Sequence, residues 1–148
     1  MQSLPELLAK QLEHRQRAID HLVEAFTAEE AQMTLHREGP CADGLLWHLA
    51  HVGHSTLLAL GGSADPVAEP GLYPASKAEF QRIALALREH TQAMAAEQWA
   101  SPPAIEVLPA FRDKLKTRAD FLSGHIFHLA YHAGQLGSLR SKWGVTGA

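Results

Sequence analysis

The chain has 148 residues, 46% of them hydrophobic and 20% charged, with a net charge of −3 when its ten histidines are neutral. That length and balance suit one globular domain, residues 1–148, with a real core, and exclude a disordered chain. The charge gives no basic footprint for nucleic acid, no apolar run approaches a membrane span, and one cysteine rules out a disulfide framework or a Cys-rich metal site.

The N-terminus, Met1-Gln2-Ser3-Leu4-Pro5-Glu6, lacks the basic and apolar regions of a signal peptide, so a cytoplasmic location is expected. Ser3 with Glu6 three residues on is a capping box, and Pro5 fits a first helical turn. Leu4, Leu8, Leu12, Arg15, Ile19, Leu22 and Phe26 then recur at threes and fours, predicting a first helix over about Leu4 to Phe26. His14 and His21 fall off its stripe and read as solvated. Thr27-Ala28-Glu29-Glu30 is a second capping box, but Gly39-Pro40 breaks the chain soon after, so only a short helical turn fits there, and His36 in that loop has no assigned role. Cys41 reads as a small buried or loop residue, since no base adjoins it in sequence to make it a nucleophile.

A second helix is predicted from Ala42 or Asp43 to Leu60, ended by Gly61-Gly62. Its apolar face carries Leu45, His48, Leu49, Val52, Thr56 and Ala59, so His48 points inward; His51 lies about 60° to one side and His54 points away. Residues 62–74 form a loop long enough to cross the end of a bundle or cover a site. Ser76-Lys77-Ala78-Glu79 reads as a capping box starting a third helix that runs to about Glu97, with His90 at the edge of its stripe. Ser101-Pro102-Pro103 stops it, and Pro109 makes residues 104–116 a loop or extended piece packed along the bundle. Thr117-Arg118-Ala119-Asp120 opens a fourth helix reaching about Lys142, and Gly144 to Ala148 form a frayed tail. Four long amphipathic segments without a strand pattern predict an all-α four-helix bundle, and the long second connection permits a topology other than simple up-and-down.

The fourth helix carries His125, His128 and His132. His128 and His132 lie roughly 40° apart around it, on the arc of Leu122, Leu129, Leu136 and Leu139, and so point toward the core. Imidazoles one turn apart can close on one metal ion, and His48 from the facing helix completes a three-histidine set. Three nitrogens leave a position for water or substrate, as in catalytic sites. The competing interpretation is a set of half-buried, hydrogen-bonded histidines. His51 and His125 either line the site, orient a ligand, serve as general base or bond to water. Gln135, in phase with the pair, bonds a ligand or a backbone carbonyl, or is a polar packing residue.

Two segments carry a family resemblance. His128-Leu129-Ala130-Tyr131-His132-Ala133-Gly134-Gln135, with Leu139-Arg140 beyond it, resembles the C-terminal motif of the DinB/YfiT-like superfamily, and Leu46-Trp47-His48-Leu49-Ala50-His51 resembles its helix-2 motif. The resemblance extends over nearly the whole chain. It implies a four-helix bundle holding a divalent metal through three histidines, which fall at His48, His128 and His132, since His48 and not His51 is followed by Leu-Ala. Zinc or nickel comes first, with iron, manganese or cobalt also suited to imidazole. Relatives include bacillithiol S-transferases, mycothiol-dependent maleylpyruvate isomerases and proteins described as metal-dependent hydrolases, and members are often homodimers. The implied function is therefore a metal-dependent enzyme acting on a small molecule, S-transferase-like with a low-molecular-weight thiol cosubstrate, or hydrolase-like. Two rivals remain: a non-catalytic metal-binding or stress-response module in which the ion stabilises the bundle, and a metal-free bundle that dimerises through an apolar face.

Overall fold

The computed structural model describes residues 1–71 and 73–144. It contains four long helices, α1 (Leu4–Glu24), α2 (Ala42–Ala59), α3 (Ala75–Ala93) and α4 (Arg118–Trp143). Short 3-10 turns at Glu30–Gln32, Ala96–Ala100 and Pro109–Phe111 punctuate the connections. Three of the expected capping boxes form: Ser3 with Glu6, Thr27 with Glu30, and Thr117 with Asp120. Each lets a hydroxyl and a carboxylate satisfy backbone N–H groups that have no helical partner. Gly61, at φ 85°, takes the left-handed conformation that ends α2. No helix among the described residues is long and apolar enough to cross a membrane.

The directions of the helices follow from their side-chain links. Ser76 at the start of α3 donates to Asp43 at the start of α2, and His90 near the end of α3 meets the Leu60 carbonyl at the end of α2 (2.9 Å), so α2 and α3 run parallel. Gln16 of α1 donates to the Ala84 carbonyl of α3 (3.2 Å), while Tyr73 just before α3 donates to Val23 near the end of α1 (2.9 Å), so these two helices are antiparallel. Arg118 at the start of α4 donates to the Leu60 carbonyl (3.1 Å) and Trp143 at its end to Thr34 (3.2 Å), which sets α4 antiparallel to α2. The bundle is thus up-down-down-up, and the 62–74 loop supplies the return that a parallel pair needs. The core between the helices is built from Leu12, Ile19, Leu46, Leu49, Leu57, Ile83, Leu87, Leu122, Leu129, Leu136 and Leu139, all fully buried.

Four expectations need correction. Ser76 is not a cap: α3 begins at Ala75 behind Pro74, the Ser76 hydroxyl turns inward to Asp43, and Glu79 instead pairs with Arg82 (2.7 Å) and accepts from the Ala68 N–H (2.7 Å). The third helix stops at Ala93 rather than Glu97, because the Gln98 side chain caps the Ala95 N–H (2.7 Å) and starts a separate 3-10 turn. The first helix ends at Glu24, and Phe26 packs into the core from the loop beyond it. His48 does not face the core. Wedged between α3 and α4, α2 buries Asp43, Leu45, Leu46, Trp47, Leu49 and Ala50 and leaves His48 and His51 on its outer edge. Gly144 closes α4 at φ 62°; the rest of the expected frayed tail lies outside the described residues. Cys41 is the α2 N-cap, its sulfur accepting from the Gly44 N–H (3.3 Å).

Asp43 is 6% exposed and accepts from both Gln32 Nε2 (2.7 Å) and Ser76, joining the turn after α1 to the starts of α2 and α3. Asp43→Ala strands the buried Ser76 hydroxyl, while the exposed Gln32 amide can turn to water, and is expected to cost about 1–2 kcal/mol in urea unfolding, whereas Asp43→Asn, which keeps one acceptor, costs less.

Candidate metal centre

The rings of His48, His128 and His132 meet at the outer seam between α2 and α4. Their ligand nitrogens all lie within 4.8 Å of one another. The Nε2 of His128 is 2.7 Å from the Nε2 of His132 and 3.2 Å from the Nε2 of His48. Nitrogens bound at about 2.0–2.1 Å to one ion stand about 2.9–3.3 Å apart, depending on coordination geometry. The observed spacing is close to that.

The donor chemistry agrees. Gln135 Oε1 lies 2.5 Å from His132 Nδ1, so the amide oxygen accepts a hydrogen bond from Nδ1–H, which leaves Nε2 as a lone pair facing the cluster. One proton on His128 Nε2 can satisfy only one of its two neighbours. Three converging nitrogens thus hold more lone pairs than protons, an arrangement that a shared cation resolves. Partial desolvation of the ring edge turned toward the cluster, together with the nearby His132 and His51, holds the His48 pKa below the ordinary imidazole value. Desolvation, His132 and His48 do the same for His128. Both shifts favour the neutral ring, the form that metal binding requires.

Burial is graded across the cluster: His132 is 8% exposed, His128 is half-buried and His48 is exposed. One side is anchored in the bundle and the other is open. An open cavity of about 960 Å³ reaches His128 and His51 from α2, α4 and the 104–116 connection. Val52, Leu108, Phe111, Leu115 and Phe121 make most of its wall, and His125 also lines it. His125 is 4% exposed and its Nδ1 has no hydrogen-bond partner. Burial, then the neighbouring His128, pushes its pKa down to about 3.

The structure brings together all three histidines expected as ligands, with Gln135 as the partner of one. It sets His51 and His125 on the cavity wall beside them. His14 and His21 are exposed, while His54 and His90 meet the carbonyls of Ala64 and Leu60, away from the cluster. Of the candidate cover, residues 62–71 instead lie against α2 and α3, tied by Trp47 to Gly71 (3.3 Å) and by Arg82 to Asp65 and Pro66 (both 3.1 Å). The cavity's remaining side comes from the 104–116 connection. Leu108 and Phe111 are apolar residues in a stretch without helical period, which is the one signal the sequence carries for this side of the cavity.

Gln135→Leu removes the group that fixes the His132 tautomer and is expected to weaken zinc binding about tenfold, measured by competition with a chromophoric chelator.

A search among curated proteins finds no match in sequence. The model of the DinB family matches residues 1–148. With the full length matched, the helical bundle in place and three histidines gathered between α2 and α4, the chain belongs to the DinB family.

Proposed function

We propose that this chain is a divalent-metal-dependent enzyme whose ligands are His48, His128 and His132, acting on a small molecule by thiol S-transfer or by hydrolysis. The observation that carries the reading is the open side of the cluster: His48 is exposed, and a large cavity ends at His128. A purely structural ion is enclosed by four protein ligands, whereas three histidines with an open face leave room for a reactant. A bound divalent ion would lower the pKa of a water or thiol and so supply a nucleophile at neutral pH. Zinc or nickel suits the all-nitrogen donor set.

The protein's own groups divide the remaining work. Gln135 orients His132, and the α2–α4 seam holds the three rings at fixed separation. His51, exposed on the cavity wall next to His128, is the general base, taking the nucleophile's proton on its ring. His125 is too deeply buried to hold a proton at neutral pH and serves by hydrogen bonding. The apolar wall keeps water from the electrophile.

The test is elemental analysis of protein reconstituted with zinc or nickel, then a transfer screen with several low-molecular-weight thiols and a general electrophile. One ion per chain with thiol-dependent turnover supports transfer; turnover without added thiol supports hydrolysis; no bound metal refutes both. We also infer a homodimer, supported by Phe127 (75% exposed) and Tyr131 (59% exposed) on the outer face of α4. Sedimentation is expected to give a dimer that Phe127→Glu weakens at least tenfold.

A further inference from the structure

We propose that the cavity between α2, α4 and the 104–116 connection selects an uncharged, mainly apolar substrate that offers one hydrogen-bonding group to the His125 imidazole. This rests on the metal-dependent reading only for what happens at the far end of the cavity; the binding preference stands on the cavity itself.

Three observations lead there. First, a volume of about 960 Å³ falls within the range of small-molecule sites, and its wall is chiefly carbon: Val52, Leu115 and Phe121 inside, Leu108 and Phe111 at the rim. Leu108 is 68% exposed and Phe111 48% exposed, an arrangement that a bound apolar body would cover. Second, the free polar groups on the wall, His51, Ser55, Lys114 and Ser123, are exposed, and the more enclosed Thr56 and Asp120 are committed. The Thr56 hydroxyl donates to the Val52 carbonyl (2.9 Å). The Asp120 carboxylate accepts from the backbone N–H groups of Lys116 and Thr117 (both 3.0 Å). Lys114 is exposed and keeps its ammonium in water. Without a metal, a charge carried into the cavity would find no buried, unengaged counterion there, which disfavours ionic ligands. Third, His125 is an exception. It is 4% exposed, it lines the wall, and its Nδ1 is enclosed with no partner. A buried lone pair without a partner costs less than a buried N–H without one, so the proton belongs on Nε2, where it can be donated to an acceptor. Such an unsatisfied imidazole in an apolar wall is the kind of isolated polar group that fixes a ligand's orientation.

The probes are 2-naphthol, naphthalene and naphthalene-2-sulfonate, titrated at pH 7 into the metal-free full chain. Zinc uptake is measured separately in the absence of probe. Wild-type protein is expected to bind 2-naphthol about fivefold tighter than naphthalene, the worth of one net hydrogen bond, and the sulfonate at least tenfold more weakly than 2-naphthol. His125→Leu should erase the preference for naphthol over naphthalene. Phe111→Arg, at an exposed position that the fold tolerates, should weaken both uncharged probes at least tenfold. The inference is overturned if the sulfonate binds as well as the alcohol, if Phe111→Arg changes nothing, or if His125→Leu folds and keeps the preference. Protein that takes up zinc but no naphthol refutes this inference and leaves the metal reading intact. Protein that binds naphthol with these preferences but no zinc supports the cavity and refutes the metal reading.

Discussion

Alanine at His128 is expected to abolish stoichiometric zinc binding, and alanine at His48 to do the same, while His90→Ala leaves it unchanged. His128 is the hub of the cluster, its Nε2 within 3.2 Å of both partners. Removing it leaves two nitrogens on opposite sides of a gap. Losing a mere outer-sphere partner costs roughly 10–100-fold in affinity, so losing a ligand costs more. The same variants predict a second readout. If zinc is supplied at about 100 times its dissociation constant, binding adds about 2.7 kcal/mol to the stability of the folded state. Chelator should therefore lower the melting temperature of wild-type protein and of His90→Ala, and leave His48→Ala and His128→Ala unmoved. His90 is a sound control because its ring contacts the Leu60 carbonyl at the far end of α2. An equal chelator response in all four proteins would mean that zinc binds elsewhere.

Legibility in the sequence tracked the range of the interactions involved. The α4 pair was legible because i and i+4 on one helix is local geometry, fixed before any tertiary contact forms. Gln135 was legible as a candidate partner for the same reason, lying three residues from His132. Helical phase picks out His48 but predicts it buried, whereas it is exposed. A single apolar stripe assumes one neighbour, whereas α2 packs against both α3 and α4 and so pushes His48 to the rim. Ser76 departs from its expected capping role for a related reason. Its spacing to Glu79 matches a capping box, but its hydroxyl is claimed by Asp43, 33 residues away, once α2 and α3 lie parallel. The cavity was invisible because residues 104–116 carry no period. Their role depends on α4 placing Phe121 and His125 opposite Leu108 and Phe111, a long-range juxtaposition with no sequence pattern of its own.

Acid destabilisation should expose His125 directly. Its pKa is about 3 in the folded protein, because burial and the nearby His128 disfavour the charged ring, against about 6.5 in an unfolded chain. Above pH 6.5 the ring is neutral in both states and costs nothing. As pH falls from 6.5 toward 3, the unfolded chain takes up a proton that the folded one refuses, so stability is lost with falling pH. At about 1.4 kcal/mol per pH unit, the loss reaches about 2.7 kcal/mol by pH 4.5. His125→Leu removes this term. Urea unfolding at pH 7 and pH 4.5 should show a smaller drop for the variant by about that amount, with proton uptake on unfolding reduced by about one at intermediate pH. Carboxylates titrating over the same range act in both proteins and cancel in the difference. At pH 7 the variant should be at least as stable as wild type, since leucine replaces a buried nitrogen that has no partner. That outcome would show that the fold does not need the His125 ring for its stability.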